Sequence, residues 1–286
     1  MFIPSKILEE KLLKMLAEDV GQGDITTALI VPEESCAEAE MIAKEAGVIA
    51  GVEEAKALLK SLNLEAKFMV KDGEKVKANQ TLMKISGDTR TILSVERTLL
   101  NLLSRMSGIA TLTRKLVEKL GKAGSRTKVA CTRKTALGLL YFDKKAVQLG
   151  GGDTHRLHLD DMILIKDNHI AVAGSIEKAV KAVMKGASFS KKIEVEVTKL
   201  DDVLVAAKAG ADIVMLDNFS PKQVAEAVKM LKKSELLGKV LLEASGGITS
   251  ENILNYALAG VNIISLGELT ASPKALNISL EVIKIK

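Results

Sequence analysis

Six short apolar runs recur through the second half of the chain, and each leads toward a helical pattern. They are KVACT (128–132), MILI (162–165), KIEVEV (192–197), DIVML (212–216), KVLLEA (239–244) and NIISL (262–266). Helical periodicity fills the gaps near 175–187, 199–210, 220–233 and 250–259. Strand starts spaced by ~20–35 residues have the size of a βα unit. Strands apolar on both faces belong in a parallel sheet covered by helices on its outer side. No GxGxxG opens a helix after the first run, so the pattern favours a (β/α) barrel over a doubly wound sheet.

The first part of the chain reads differently. Residues 1–20 form a helical pattern with Ile7, Leu8, Leu12, Leu13 and Leu16 on one side, followed by the turn-rich GQGDITT. An apolar stretch lies within 37–51, and 53–62 reads as a short helix. Residues 67–93 alternate as short strands broken at Asp72-Gly73 and Gly87-Asp88. A long helix is expected from about Val95 to Leu120, with Gly108 as a weak interruption. The closing SLEVIKIK (279–286) alternates like an edge strand returning to this first module. The expected class is therefore α/β: an N-terminal α+β domain (1–110), a barrel (111–272) and a closing segment (273–286). A length of 286 residues agrees with two domains.

Composition narrows the function. Hydrophobic residues at 47% and charged residues at 27% are enough to build a core. No apolar run nears the ~18 residues of a membrane span, and the amphipathic, acid-containing N-terminus does not read as a signal peptide. Cys36 and Cys131 form no CxxC, which argues against a disulfide scaffold or zinc-thiolate site and for a reducing cytoplasm. With no Trp and 2% aromatic residues, the chain lacks platforms for stacking nucleic-acid bases. The net charge of +5 is spread along the chain, which suits anionic small molecules better than nucleic acid.

In a βα barrel the chemistry sits at the C-terminal ends of the strands. There the sequence places Arg133 and Lys134, then Lys166 directly after MILI, then Asp217 after IVML. Between the first two strands, Gly150-Gly151-Gly152 precedes His155 and Arg156. Lysines and arginines clustered at the mouth suit planar carboxylates. Glu194 and Glu196 share one face of their strand. Glu196 and Asp217 are candidates to pair with the cations or to hold Mg2+ and sugar hydroxyls. Glu194 and Glu243 read rather as internal ion-pair members. Ser245-Gly246-Gly247 and Gly267, on consecutive late strands, suit a phosphate through exposed backbone N–H groups. His155, His158 and His169 have no metal-ligand spacing. Lys84, in TLMKI, lies inside a strand pattern and not at the turn tip that a biotinyl or lipoyl lysine needs. The residues thus describe a site with a basic end, an acidic middle and a phosphate end.

With these stretches the chain resembles the quinolinate phosphoribosyltransferase family, the carboxylating nicotinate-nucleotide pyrophosphorylases. The resemblance rests on EDVGQGDITT (18–27), VERTLLNLLSRMSGIAT (95–111), TRKTALGLL (132–140), AVQLGGGDTHRLHLDDMILIKDNHI (146–170), KIEVEV, IVMLDN and EASGGIT (243–249). It implies an incomplete, TIM-like (β/α) barrel after the N-terminal domain and a homodimer with shared active sites, or a higher oligomer. It implies quinolinate and phosphoribosyl pyrophosphate as substrates, with Mg2+. Arg133, Lys134, His155, Arg156 and Lys166 match the family's quinolinate-binding and catalytic basic residues, and Arg97 an arginine from the neighbouring subunit. Glu196 and Asp217 match the acids near the ribose and Mg2+. Ser245, Gly246, Gly247 and Gly267 match the 5′-phosphate site. Leu137 stands where many members have Pro, and His158 where Gly is common. Two alternatives accompany the resemblance: a relative associated with molybdenum-transport operons that acts on another acceptor, and a non-catalytic sugar-phosphate binder.

Overall fold

The computed structural model describes residues 3–286. In chain order its elements begin with α1 (Ser5–Val20), α2 (Ile25–Ile30), β1 (Cys36–Ala43), β2 (Gly47–Val48), α3 (Val52–Ser61), β3 (Glu65–Phe68), β4 (Lys75–Val76), β5 (Gln80–Asp88) and α4 (Thr89–Lys122). There follow β6 (Lys128–Cys131), α5 (Leu140–Leu149), β7 (Ile163–Ile165), α6 (Asp167–Ala173), α7 (Ile176–Gly186), β8 (Ile193–Val197), α8 (Leu200–Ala209) and β9 (Ile213–Asp217). The last are α9 (Pro221–Lys233), β10 (Leu241–Ser245), α10 (Ile253–Ala259), β11 (Ile263–Leu266), α11 (Glu268–Ala271) and β12 (Ile278–Ile285). No helix among the described residues is long and apolar enough to cross a membrane.

The chain divides into two compact units. One holds the residues up to Arg114 together with Tyr141–Gly151 and Pro273–Lys286; the other holds Lys115–Leu140 and Gly152–Ser272. The first unit is built on an antiparallel sheet in the order β12-β1-β5-β3. Strand β1 explains the sheet's sidedness: Ala37, Ala39, Met41 and Ala43 are buried, while Glu38 and Glu40 face away. Glu40 pairs with Lys84 on β5, and Glu38 with Lys286 beyond β12, each at 2.6 Å. Lys84 is thus a cross-strand partner in the body of a sheet.

Three parts of this unit differ from the sequence expectation. Residues 89–93, expected in strands, already belong to α4. Gly108 does not interrupt that helix. A Cβ there would lie 2.0 Å from the carbonyl oxygen of Lys274, so the glycine lets the closing segment cross the helix, held by Leu276 N–H donating to Ser104 O at 2.9 Å. Helix α5 was not visible as a helix because much of its buried face is charged. Asp143 receives both Nε and an Nη of Arg105 at 2.7 and 2.8 Å, and Lys145 donates to both oxygens of Glu54 at 2.8 Å.

The second unit carries a parallel sheet in the order β6-β11-β10-β9-β8-β7. The first strand pairs with the last, as barrel closure requires. The other edge of β6 takes a single bridge between Ala130 and Asp153, and among the described residues no strand pairing joins Asp153 to β7. The barrel is therefore incomplete, open along that seam. Outward residues such as Val195, Val214, Leu216, Leu242 and Ile264 are buried beneath the helices. Each of the six strands and four helices expected here is present, with ends shifted by no more than a few residues.

Candidate active site

At the C-terminal ends of the barrel strands lies a cavity of about 630 Å3. Arg133, Lys134, Arg156, Lys166, Glu196, Asp217, Ser245, Gly246 and Gly247 line it, with His155 and Glu243 deeper in the wall. A larger cavity of about 880 Å3 opens at the opposite end, among the strand starts Lys128, Ile213, Leu241 and Ile263. The mouth cavity carries the chemistry, because the convergent cations, carboxylates and glycine turn are there.

The basic end is preorganised for an anion. Arg156 sits below its ordinary range, first because it is partly buried and then because of the positive charge of Arg133; Glu194 opposes the shift. Two guanidiniums held on one wall despite mutual repulsion favour whatever negative charge arrives between them. Lys166 Nζ lies 2.6 Å from Glu196 Oε2, joining the basic end to the acidic middle. The backbone N–H of Lys166 donates to His169 Nδ1 at 2.9 Å, so His169 fixes the chain where the lysine leaves the strand.

The phosphate end depends on two left-handed residues that meet. Asn218 has φ +59° and Gly246 φ +87°. Asn218 N–H donates to Ser245 O at 2.8 Å, and its Nδ2 donates to Asp217 Oδ2 at 2.8 Å. A Cβ on Gly246 would lie 2.4 Å from Asn218 Oδ1, so glycine is required both by conformation and by space. Gly267 stands apart from the other expected phosphate residues. It does not line the cavity, its φ of −66° suits any residue, and a Cβ there would stand 3.4 Å from Lys134 Cδ. Its contact is with the stem of a site lysine.

Beneath the mouth, His155 turns inward. Its Nε2 lies 3.1 Å from Glu243 Oε2 and 3.4 Å from Glu194 Oε2, and Arg156 N–H donates to its Nδ1 at 2.8 Å. Both carboxylates are fully buried. Burial raises Glu194, with the neighbouring Glu243 adding to the shift and His155 opposing it. Burial lowers His155, and the two neighbouring carboxylates outweigh it and raise the group. The Arg156 N–H points at Nδ1, so in this geometry that nitrogen is the acceptor and the ring's N–H is at Nε2. Both ring nitrogens are thus engaged within the protein, while the residue still lines the cavity.

Arg97 is exposed on α4 in the first unit and is not among the residues lining the cavity. Leu137 and His158 are exposed and also stand outside its lining. The sequence reading missed Asn218 as a site member. The signal was its position in the Asp217-Asn218 pair after a strand, since Asn tolerates a left-handed backbone. It also missed Ser265, a buried inward residue of β11 that lines the cavity.

Two family models match the chain: the quinolinate phosphoribosyl transferase N-terminal domain over residues 24–107 and the C-terminal domain over 109–281. The chain belongs to the quinolinate phosphoribosyl transferase family. A "Probable nicotinate-nucleotide pyrophosphorylase [carboxylating]" of Methanothermobacter thermautotrophicus is 44% identical over 273 residues, covering 96% of this chain and 98% of that protein. The human nicotinate-nucleotide pyrophosphorylase (carboxylating) is 36% identical over 282 residues, covering 99% and 94%. The structure of the nicotinate-nucleotide pyrophosphorylase from Francisella tularensis superposes with a TM-score of 0.89 at 40% identity, covering 99% of this chain and 98% of that one. In this quinolinate phosphoribosyl transferase, as in the sequence reading, an antiparallel N-terminal sheet precedes the parallel sheet of an incomplete barrel.

Proposed function

We infer that this chain transfers the phosphoribosyl group of phosphoribosyl pyrophosphate to quinolinate, releasing pyrophosphate and CO2 and giving nicotinate mononucleotide, a step of NAD biosynthesis. The observation that carries the reading is the Arg133–Arg156 wall with Lys134 and Lys166 beside it. Guanidiniums and ammoniums at one wall suit an acceptor bearing two carboxylates.

The pyridine nitrogen attacks C1 of the ribose as the bond from C1 to pyrophosphate breaks. Positive charge grows at C1, and Glu196 and Asp217, which line the cavity, would stabilise it. The product pyridinium then accepts the electron pair of the breaking bond between C2 and its carboxylate, CO2 departs, and C2 takes up a proton. Lys166 and the two arginines hold the carboxylates in register and steady the charge at C2. Backbone groups of Ser245, Gly246 and Gly247 receive the 5′-phosphate. Glu196 and Asp217, part-exposed oxygen donors at the mouth, fit Mg2+ and would hold it; it would supply charge to the leaving pyrophosphate. Arg97, exposed on α4, completes the basic wall from a second copy of the chain in a homodimer. We place the reaction in the cytoplasm, a reducing compartment that suits the two cysteines.

The test is incubation of the purified chain with quinolinate, phosphoribosyl pyrophosphate and Mg2+, with products read by mass. Nicotinate mononucleotide is expected with quinolinate and no nucleotide with nicotinate, which lacks the second carboxylate. Turnover of another acceptor in place of quinolinate would overturn the assignment and favour the molybdenum-operon relative. Binding without pyrophosphate release would leave a sugar-phosphate binder.

A further inference from the structure

We propose that His155 is a positioning residue: Glu243 holds its Nε2–H, with Glu194 beside it, so that Nδ1 faces the N–H of Arg156 and aims that arginine into the site. The inference deepens the reading above and rests, in its kinetic arm, on quinolinate being the acceptor.

Arg156 needs to be held. It shares a wall with Arg133, and the two like charges repel. Its segment comes directly after a triple glycine, and no strand pairing joins that segment to β7. The backbone on this side of the seam is therefore fixed by other means. Asp153 N–H donates to Val129 O at 2.7 Å, and Cys131 N–H donates to Asp153 O at 3.2 Å, tying Asp153 to β6. Asp153 Oδ1 then accepts the N–H of His155 at 2.9 Å, which bends the chain so that His155 takes a φ of +52°. A non-glycine residue stays in that conformation only where its surroundings impose it.

The imposing contacts are those of the ring. His155 leaves the seam side and reaches across the barrel interior to Glu194 on β8 and Glu243 on β10. Its side chain is only 10% exposed, and the two carboxylates are fully buried. A neutral imidazole has one N–H and one acceptor nitrogen, and the hydrogen bond at one nitrogen decides the role of the other. With Nε2–H given to Glu243, Nδ1 is left to accept from Arg156, as the 2.8 Å contact shows. The chain of contacts therefore runs from two strands of the rigid barrel, through the ring, to the backbone of a site arginine. His155 and Arg156 also line both barrel cavities, so this group forms the partition between them.

Two measurements test this. Ring nitrogen shifts of the wild-type protein at pH 7, with His155 assigned by its loss in His155→Asn, are expected to show Nε2 protonated and Nδ1 bare. A proton on Nδ1, either as the other tautomer or as imidazolium, overturns the proposal whatever the substrate proves to be. In the kinetic arm, Glu243→Ala is expected to raise KM for quinolinate about tenfold while KM for phosphoribosyl pyrophosphate stays within about twofold. Glu243→Gln, whose amide oxygen still accepts from Nε2–H, is expected to recover most of that loss. Equal change in both KM values, or no recovery with Gln, makes Glu243 a merely structural residue. If the Ala variant fails to fold, the comparison of wild type, Gln variant and His155→Asn still decides, because His155→Asn keeps an acceptor and a left-handed backbone but loses the ring's reach to the carboxylates. It is expected to shift the quinolinate KM alone.

Discussion

Lys166 Nζ and Glu196 Oε2, from the end of β7 and the inner face of β8, lie 2.6 Å apart and tie the basic end of the cavity to its acidic middle. The lysine side chain is 45% exposed, so the pair contributes at most about 1 kcal/mol to folding. In the proposed reaction its value is catalytic: the lysine would meet the acceptor's carboxylates and the glutamate the developing charge on the ribose. Lys166→Ala is expected to shift the unfolding temperature by only a few degrees and to lower kcat/KM by about 100-fold or more. Thermal unfolding and steady-state kinetics on one preparation check this. Wild-type kcat/KM would remove Lys166 from the site.

Two of the three glycines assigned to the phosphate are expected to behave differently. At Gly246, φ is +87° and Asn218 Oδ1 occupies the place of a side chain, so Gly246→Ala displaces the Asn218 turn. The variant is expected to raise KM for phosphoribosyl pyrophosphate about tenfold or more, with a much smaller effect on quinolinate. At Gly267, φ is −66° and the neighbouring atom is a flexible lysine stem, so Gly267→Ala is expected to stay within about threefold of wild type. Equal effects from the two substitutions would contradict the geometry.

Gly108 offers a test confined to stability. Alanine is the better helix former by about 1 kcal/mol, yet here its Cβ would meet the Lys274 carbonyl at 2.0 Å. Overpacking against backbone costs about 1–3 kcal/mol or more, so Gly108→Ala is expected to destabilise on balance. Chemical denaturation measures the difference. A stabilised variant would mean that the closing segment does not cross α4 there.

The barrel was legible because its strands are apolar on both faces and recur at the spacing of a βα unit. The mouth was legible because Lys166, Asp217 and Ser245 follow such strands at once. What escaped was signalled by neither rule. Helix α5 buries Asp143, Lys144 and Lys145, so its inner face reads as polar. Gly108 looked like a break because its reason, the carbonyl of Lys274, lies 166 residues further along the chain. The tie of His155 to Glu194 and Glu243 was not legible, because they reach it from two other strands, a proximity that exists only after the barrel closes.

Arg97 carries the proposal that sites are shared between two copies. Arg97→Ala and Lys166→Ala are each expected to be nearly inactive. Co-refolded, they form mixed dimers in which one barrel keeps Lys166 and receives Arg97 from its partner. Random mixing makes about half the dimers mixed, each with one working site of two, so about a quarter of wild-type activity is expected to return. Mixed dimers without recovered activity would place Arg97 outside a shared site.

The most direct test follows the carboxylate at C2. Quinolinate labelled with carbon-14 in that group is turned over with phosphoribosyl pyrophosphate and Mg2+, and labelled CO2, pyrophosphate and nucleotide are counted together. The expected result is one of each per turnover, with no label left in the nucleotide. Label retained in the nucleotide, or pyrophosphate released without CO2, would contradict the assigned reaction.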